Sequence, residues 1–112
     1  MTGPGGVVLE QDTDLTPFIE WTKLSKTHNT KIWMQINYPG RHVFKRMGGK
    51  VLSPSDVALN MGKHSSLFSP HKSMDESEIQ DVIQRFTTTA ARAEQVGFDG
   101  VEIHAAQGYL LA

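Results

Sequence analysis

At 112 residues the chain has the length of one small domain and falls well short of the roughly 250 residues of a complete (β/α)8 barrel. Apolar residues make up 38%, charged residues 21%, the net charge is −1 and cysteine is absent. This excludes disulfides, thiolate zinc sites and cysteine nucleophiles, and it lacks the basic footprint of a nucleic-acid binder or polybasic membrane anchor. No apolar run reaches transmembrane length and the first residues carry no charged leader ahead of an apolar core, so a cytoplasmic location with no membrane partner is expected.

Residues 1–13 read as a loop built on Gly3-Pro4-Gly5-Gly6, with Val7-Val8-Leu9 as a strand remnant. A helix is predicted to start at Asp14 and end near His28-Asn29. Thr16 is its N-cap, Pro17 its first helical position, and Leu15, Phe18, Ile19 and Thr22 one face, extended by Trp21 and Leu24. Residues 31–37 form a strand closed by the turn Tyr38-Pro39-Gly40. Residues 38–72 follow neither helical nor strand period and are expected to form a long loop with a short hairpin or helical turn near 56–59. A loop of that length in a compact domain is usually a lid or cap over a site. Ser73 and Glu76 make a capping box for a helix carrying Ile79, Val82, Ile83, Phe86, Ala90 and Ala93, with Gly97 as its C-cap. Val101 and Ile103 then alternate with Glu102 and His104 in a short strand. The order helix, strand, loop, helix, strand predicts an α/β fold with parallel strands.

The candidate chemistry lies at the strand exits, where α/β sites are built. Gln35 and Asn37 project to one side of the first strand, opposite Met34 and Ile36. Such amides either read the edge of a planar heterocycle or form a polar strand face. Past the second strand, the imidazole of His104 can donate to a developing oxyanion and the phenol of Tyr109 can hand over a proton; the alternative for His104 is a packed structural histidine. The five histidines have no metal-ligand spacing, so no metal site is expected. Arg41, Lys45, Arg46 and Lys50 lack the spacing of a phosphate-binding loop and are read as a solvated face.

Three stretches together resemble the old yellow enzyme family of flavin-dependent oxidoreductases. Met34-Gln35-Ile36-Asn37-Tyr38-Pro39-Gly40-Arg41 is similar to that family's Gln-(Leu/Ile)-x-His-x-Gly-Arg strand end, and Val51-Leu52-Ser53-Pro54-Ser55 to the loop after it. Gly97 through Leu111 is similar to Gly-Phe-Asp-Gly-Val-Glu-Ile-His-x-Ala-(His/Asn)-Gly-Tyr-Leu-Leu, and residues 1–13 resemble the loop after the family's second strand. The resemblance implies a (β/α)8 TIM barrel with FMN at its C-terminal mouth, reduced by NADH or NADPH and reoxidised by activated alkenes of the enone or enal type. On that pattern Gln35 contacts the flavin pyrimidine edge, and His104 and Gln107 hydrogen-bond the substrate carbonyl. Tyr109 protonates the α-carbon. Gln107 stands where the family has His or Asn, one methylene longer than Asn, and Tyr38 stands where His is usual. The resemblance further implies that residues 1–112 are a partial FMN-binding barrel domain, incomplete at both ends, with the third and fourth strands, the helix before each and one long loop. The alternative is a non-catalytic remnant of the barrel that acts by pairing its open strand edges with another chain.

Overall fold

The computed structural model describes residues 6–112, which form two compact units; Gly3-Pro4-Gly5 of the expected first loop lie outside the described residues. One unit comprises Val8–Ile36 and Asp81–Ile103, and the other contains Asn37–Gln80 and His104–Ala112.

The first unit holds helix α1 (Thr16–Ser25), strand β1 (Trp33–Ile36), most of helix α2 (Glu76–Gln95) and strand β4 (Gly100–Ile103). Strands β1 and β4 pair in parallel with Met34 opposite Val101 and Gln35 opposite Glu102, as the element order predicts. Alternation along each strand sends Met34 and Val101 against the core of Leu9, Phe18, Ala93, Val96 and Phe98, and leaves Gln35 and Glu102 exposed. Leu9 enters that core from an irregular segment, so the expected strand at Val7-Val8-Leu9 is absent.

Helix α1 buries Phe18 and Thr22, one turn apart, and the Thr22 hydroxyl donates to the Val96 carbonyl at 2.6 Å. Trp21 meets Phe98 edge-on at 5.6 Å, but Leu24 is 77% exposed; two residues beyond Thr22, it points away from the buried stripe. Thr16 is helical and is not the N-cap: Leu15 holds that position, and the Asp14 carboxylate accepts the free Thr16 N–H at 3.0 Å. An anion suits that end of the helix dipole. The helix stops before His28-Asn29 because the Thr27 hydroxyl donates to the Leu24 carbonyl at 2.8 Å and Asn29 turns left-handed, φ +59°.

Helix α2 ends as expected on Gly97. At φ +103° this glycine lets its own N–H reach the Glu94 carbonyl and the Phe98 N–H reach the Ala93 carbonyl, both at 3.0 Å, the paired bonds of a Schellman motif.

The capping box that opens α2 belongs to the second unit and is formed by Asp75 and Glu78 rather than Ser73 and Glu76. The Glu78 N–H donates to Asp75 Oδ1 at 2.9 Å, and the Asp75 N–H donates to Glu78 Oε2 at 3.0 Å. Ser73 is occupied in strand β3 (Lys72–Ser73), which pairs in parallel with strand β2 (Leu52–Ser53). The predicted long loop therefore has its own framework. One 3-10 turn forms at Lys45–Met47 and two at Gly62–Leu67, Phe44 bridges and stacks on Phe68 at 4.9 Å, and Val43, Val51, Leu52 and Leu110 are buried. The turn expected near 56–59 is displaced to a bend at 54–56, where the Ser53 hydroxyl donates to the Ser55 carbonyl at 2.6 Å. Among the described residues no helix is long and apolar enough to cross a membrane.

Candidate active site

The chain leaves β1 at Ile36 and β4 at Ile103, and the segments that follow, from Asn37 and from His104, belong to the same unit. Two parallel-strand exits thus supply one cluster. After His104 the chain reverses over Ala106, Gln107, Gly108 and Tyr109, and the Tyr109 N–H donates to the Ala106 carbonyl at 3.3 Å. Both central residues are left-handed, Gln107 at φ +60° and Gly108 at φ +73°, the pattern of a type I′ turn. The Leu110 N–H then donates to the Tyr38 carbonyl at 3.2 Å and Leu110 is only 2% exposed, so the turn is pinned directly beside Tyr109.

This reversal sets the Tyr109 ring 5.1 Å from the His104 imidazole and 4.7 Å from that of His42, both tilted. His42 also meets Phe68 edge-on at 6.2 Å. A cleft of about 100 Å³ is lined by Arg41, Ser53, Pro54, Ser55, Tyr109, Leu110 and Ala112. The Arg41 guanidinium donates to the Val57 carbonyl at 3.0 Å. A phenol and an imidazole in ring contact at a strand exit can supply a proton and a hydrogen-bond donor to a reacting carbonyl compound.

His104 and Tyr109 are therefore brought together, and Gln107 occupies the tip of the same turn with its side chain exposed. Gln35 lies in the other unit, exposed on β1, where its Nε2 donates to Glu102 Oε1 at 3.0 Å across the ladder. Glu102 thereby orients the Gln35 amide. The sequence shows both residues at alternating strand positions, but only the register pairs them. His42 is the other contact missed from the sequence, its sole signal being its place directly after Gly40-Arg41. Of the basic cluster, Lys45, Arg46 and Lys50 are exposed, as a solvated face requires, with Arg46 over the Phe44 ring at 5.4 Å and Lys50 paired with Glu78; Arg41 alone of the four is half-buried. The described residues contain no group of three His, Asp or Glu side chains that could hold a metal ion.

A family model described as the NADH:flavin oxidoreductase / NADH oxidase family matches residues 2–112. An NADH-dependent flavin oxidoreductase of Hypocrea jecorina is 32% identical over 89% of this chain and 28% of its own length. NADPH dehydrogenases of Clostridium acetobutylicum and Bacillus subtilis are 35% and 30% identical, over 77% and 96% of this chain. The alignments take in 24% and 32% of those two proteins, so the chain spans about a quarter to a third of the length of these curated relatives.

Proposed function

The chain belongs to the NADH:flavin oxidoreductase / NADH oxidase family, a family of enzymes that pair a flavin with NAD(P)H, and from that membership we propose that residues 1–112 are part of an FMN-binding (β/α)8 barrel that reduces activated carbon–carbon double bonds. The parallel pair β1 and β4, with α2 on the path between them, supports the barrel assignment as one strand–helix–strand crossover.

The chemistry of Gln35 supports a flavin. With one Gln35 N–H held by Glu102, the amide retains a second N–H and a carbonyl oxygen, the alternating pair needed to read the edge of a pyrimidine ring. FMN, when bound, supplies hydride transfer, inward from NADH or NADPH and outward to the β-carbon of an enone or enal. The chain's own residues do the rest. His104 donates to the substrate carbonyl and draws electron density from the β-carbon, Gln107 adds a second donor to the same oxygen, and the Tyr109 hydroxyl delivers its proton to the α-carbon and is reprotonated from solvent.

The observation that supports this reading is the ring contact between His104 and Tyr109, which brings together, past the exit of β4, the imidazole and the phenol that the reading assigns as carbonyl donor and proton donor. Purified protein should be yellow, and NADH or NADPH should bleach it. Tyr109→Phe should slow reoxidation by an enone roughly a hundredfold or more while flavin reduction changes little. If both half-reactions were unchanged, Tyr109 would not be the proton donor. A colourless protein that associates with other chains would instead favour the edge-pairing role, for which the exposure of Trp33 and Ile103 on the paired strands is the motivating feature.

A further inference from the structure

We propose that His42 is a positioning residue for Tyr109, its imidazole ring, tilted 45° to the phenol, limiting the directions the phenol can take. The inference rests on the reading of Tyr109 as the proton donor.

Three observations lead to it. The His42 and Tyr109 ring centroids are 4.7 Å apart, closer than the 5.1 Å between Tyr109 and His104, so His42 is the nearer of the two rings against the phenol. Second, His42 Nε2 is buried and has no hydrogen-bond partner among the described residues. No hydrogen bond from that nitrogen fixes the imidazole, so its ring contacts with Tyr109 and Phe68 are left to set its plane. Third, the turn leaves room for the imidazole: a Cβ on Gly108 would stand 3.2 Å from His42 Nε2. Phe68, edge-on at 6.2 Å, backs the same imidazole.

Tyr109 follows a turn whose central residues are both left-handed, and its backbone is fixed on either side by the Ala106 and Tyr38 carbonyls. Those bonds fix the Cα but leave the side-chain torsions to packing. A phenol that must reach one carbon of a bound alkene needs its ring plane defined, and a displacement on the order of 1 Å at such a group is worth up to about a hundredfold in rate.

The test compares His42→Ala, His42→Leu and His42→Phe with Tyr109→Phe in the flavin-loaded protein, following reduction by NADPH and reoxidation by 2-cyclohexenone separately. The Leu variant keeps the volume and removes the ring. The Phe variant restores a ring without the nitrogens. His42→Ala and His42→Leu should slow reoxidation roughly tenfold to a hundredfold and leave flavin reduction unchanged, and His42→Phe should recover most of the loss. In flavin-free protein, the ring-proton NMR signals of Tyr109 should lose a ring-current shift in the Ala and Leu variants and keep one in the Phe variant. Slow reoxidation in Tyr109→Phe with normal reoxidation in His42→Leu would overturn the role of His42 alone. Normal reoxidation in Tyr109→Phe would overturn the proton-donor reading and this inference with it. Failure of His42→Phe to recover the rate would show that a ring nitrogen is required, and would equally overturn positioning by ring packing.

Discussion

Gln107 holds φ +60° at the first central position of a turn whose second is Gly108 at φ +73°. An L-residue in this region costs on the order of 1–2 kcal/mol because its Cβ crowds the following carbonyl, and Asn tolerates it better than most. The other described non-glycine residue with positive φ is Asn29, which matches that preference. Gln107→Asn should therefore raise the unfolding free energy by about 0.5 kcal/mol, and Gln107→Val should lower it by about 1 kcal/mol, read from urea midpoints. The Asn variant also carries the amide one methylene closer to the backbone, the arrangement the family resemblance has at this place. Gln107→Gly separates the two effects, since it relieves the turn and removes the amide. Should the Asn and Val variants share one midpoint, the turn would not be straining residue 107.

At the scale of elements, Gly97 joins two features that decide where α2 stops. Its φ of +103° closes the Schellman bonds, and a Cβ there would lie 3.3 Å from Thr22 Oγ1, whose hydroxyl donates to Val96. Gly97→Ala should cost about 1–2 kcal/mol through backbone strain, and Thr22→Val about 1 kcal/mol by leaving the Val96 carbonyl unsatisfied. Equal thermal midpoints for Gly97→Ala and the unaltered protein would contradict this. The same elements explain what could be read before folding. Gly97 is legible because only glycine supplies that φ cheaply after a helical run, β1 because a short β-favouring run ends at Tyr38-Pro39-Gly40, and β4 because Val101 and Ile103 alternate with Glu102 and His104. The opening of α2 is not, because Ser73 with Glu76 and Asp75 with Glu78 satisfy the same capping pattern. Long-range partners decide between them: Ser73 pairs in β3, and Glu78 meets Lys50 and Lys72. Strands of two residues such as β2 and β3 have no period to detect. In the site, His104 and Tyr109 stand out through their place after a strand, whereas His42 is joined to Tyr109 only by tertiary packing.

Across the whole molecule, the two described units each contain a carboxylate whose pKa is lowered by its partners. The Lys50 ammonium, the Asp75 N–H and Lys72 bring Glu78 from 4.5 to about 2. The Ile32 N–H, with Lys26 and Lys31 beside it, lowers Asp99 from 3.8. Asp99 also returns its own N–H to the Ile32 carbonyl at 2.9 Å, so its carboxylate clips the start of β1 to the start of β4. A group whose pKa is lower folded than unfolded binds more protons when unfolded. Its stabilisation is complete above the unfolded pKa and is lost as pH falls through the folded one. Stability should therefore change little through these groups between pH 7 and 5, then fall from about pH 4.5 toward 2 for Glu78 and from below 3.8 for Asp99. Glu78→Gln and Asp99→Asn should each lower the urea midpoint at pH 7, and each deficit should shrink as the pH approaches 2. The two carboxylates share none of the partners named above, so the losses in the double variant should be close to additive. Lys50 and Lys72 are exposed, so raised salt should erase more of the Glu78 effect than of the Asp99 effect, whose leading partner is a backbone N–H. Midpoint profiles for the variants that run parallel to that of the unaltered protein down to pH 2 would rule out both carboxylates as the source of acid sensitivity.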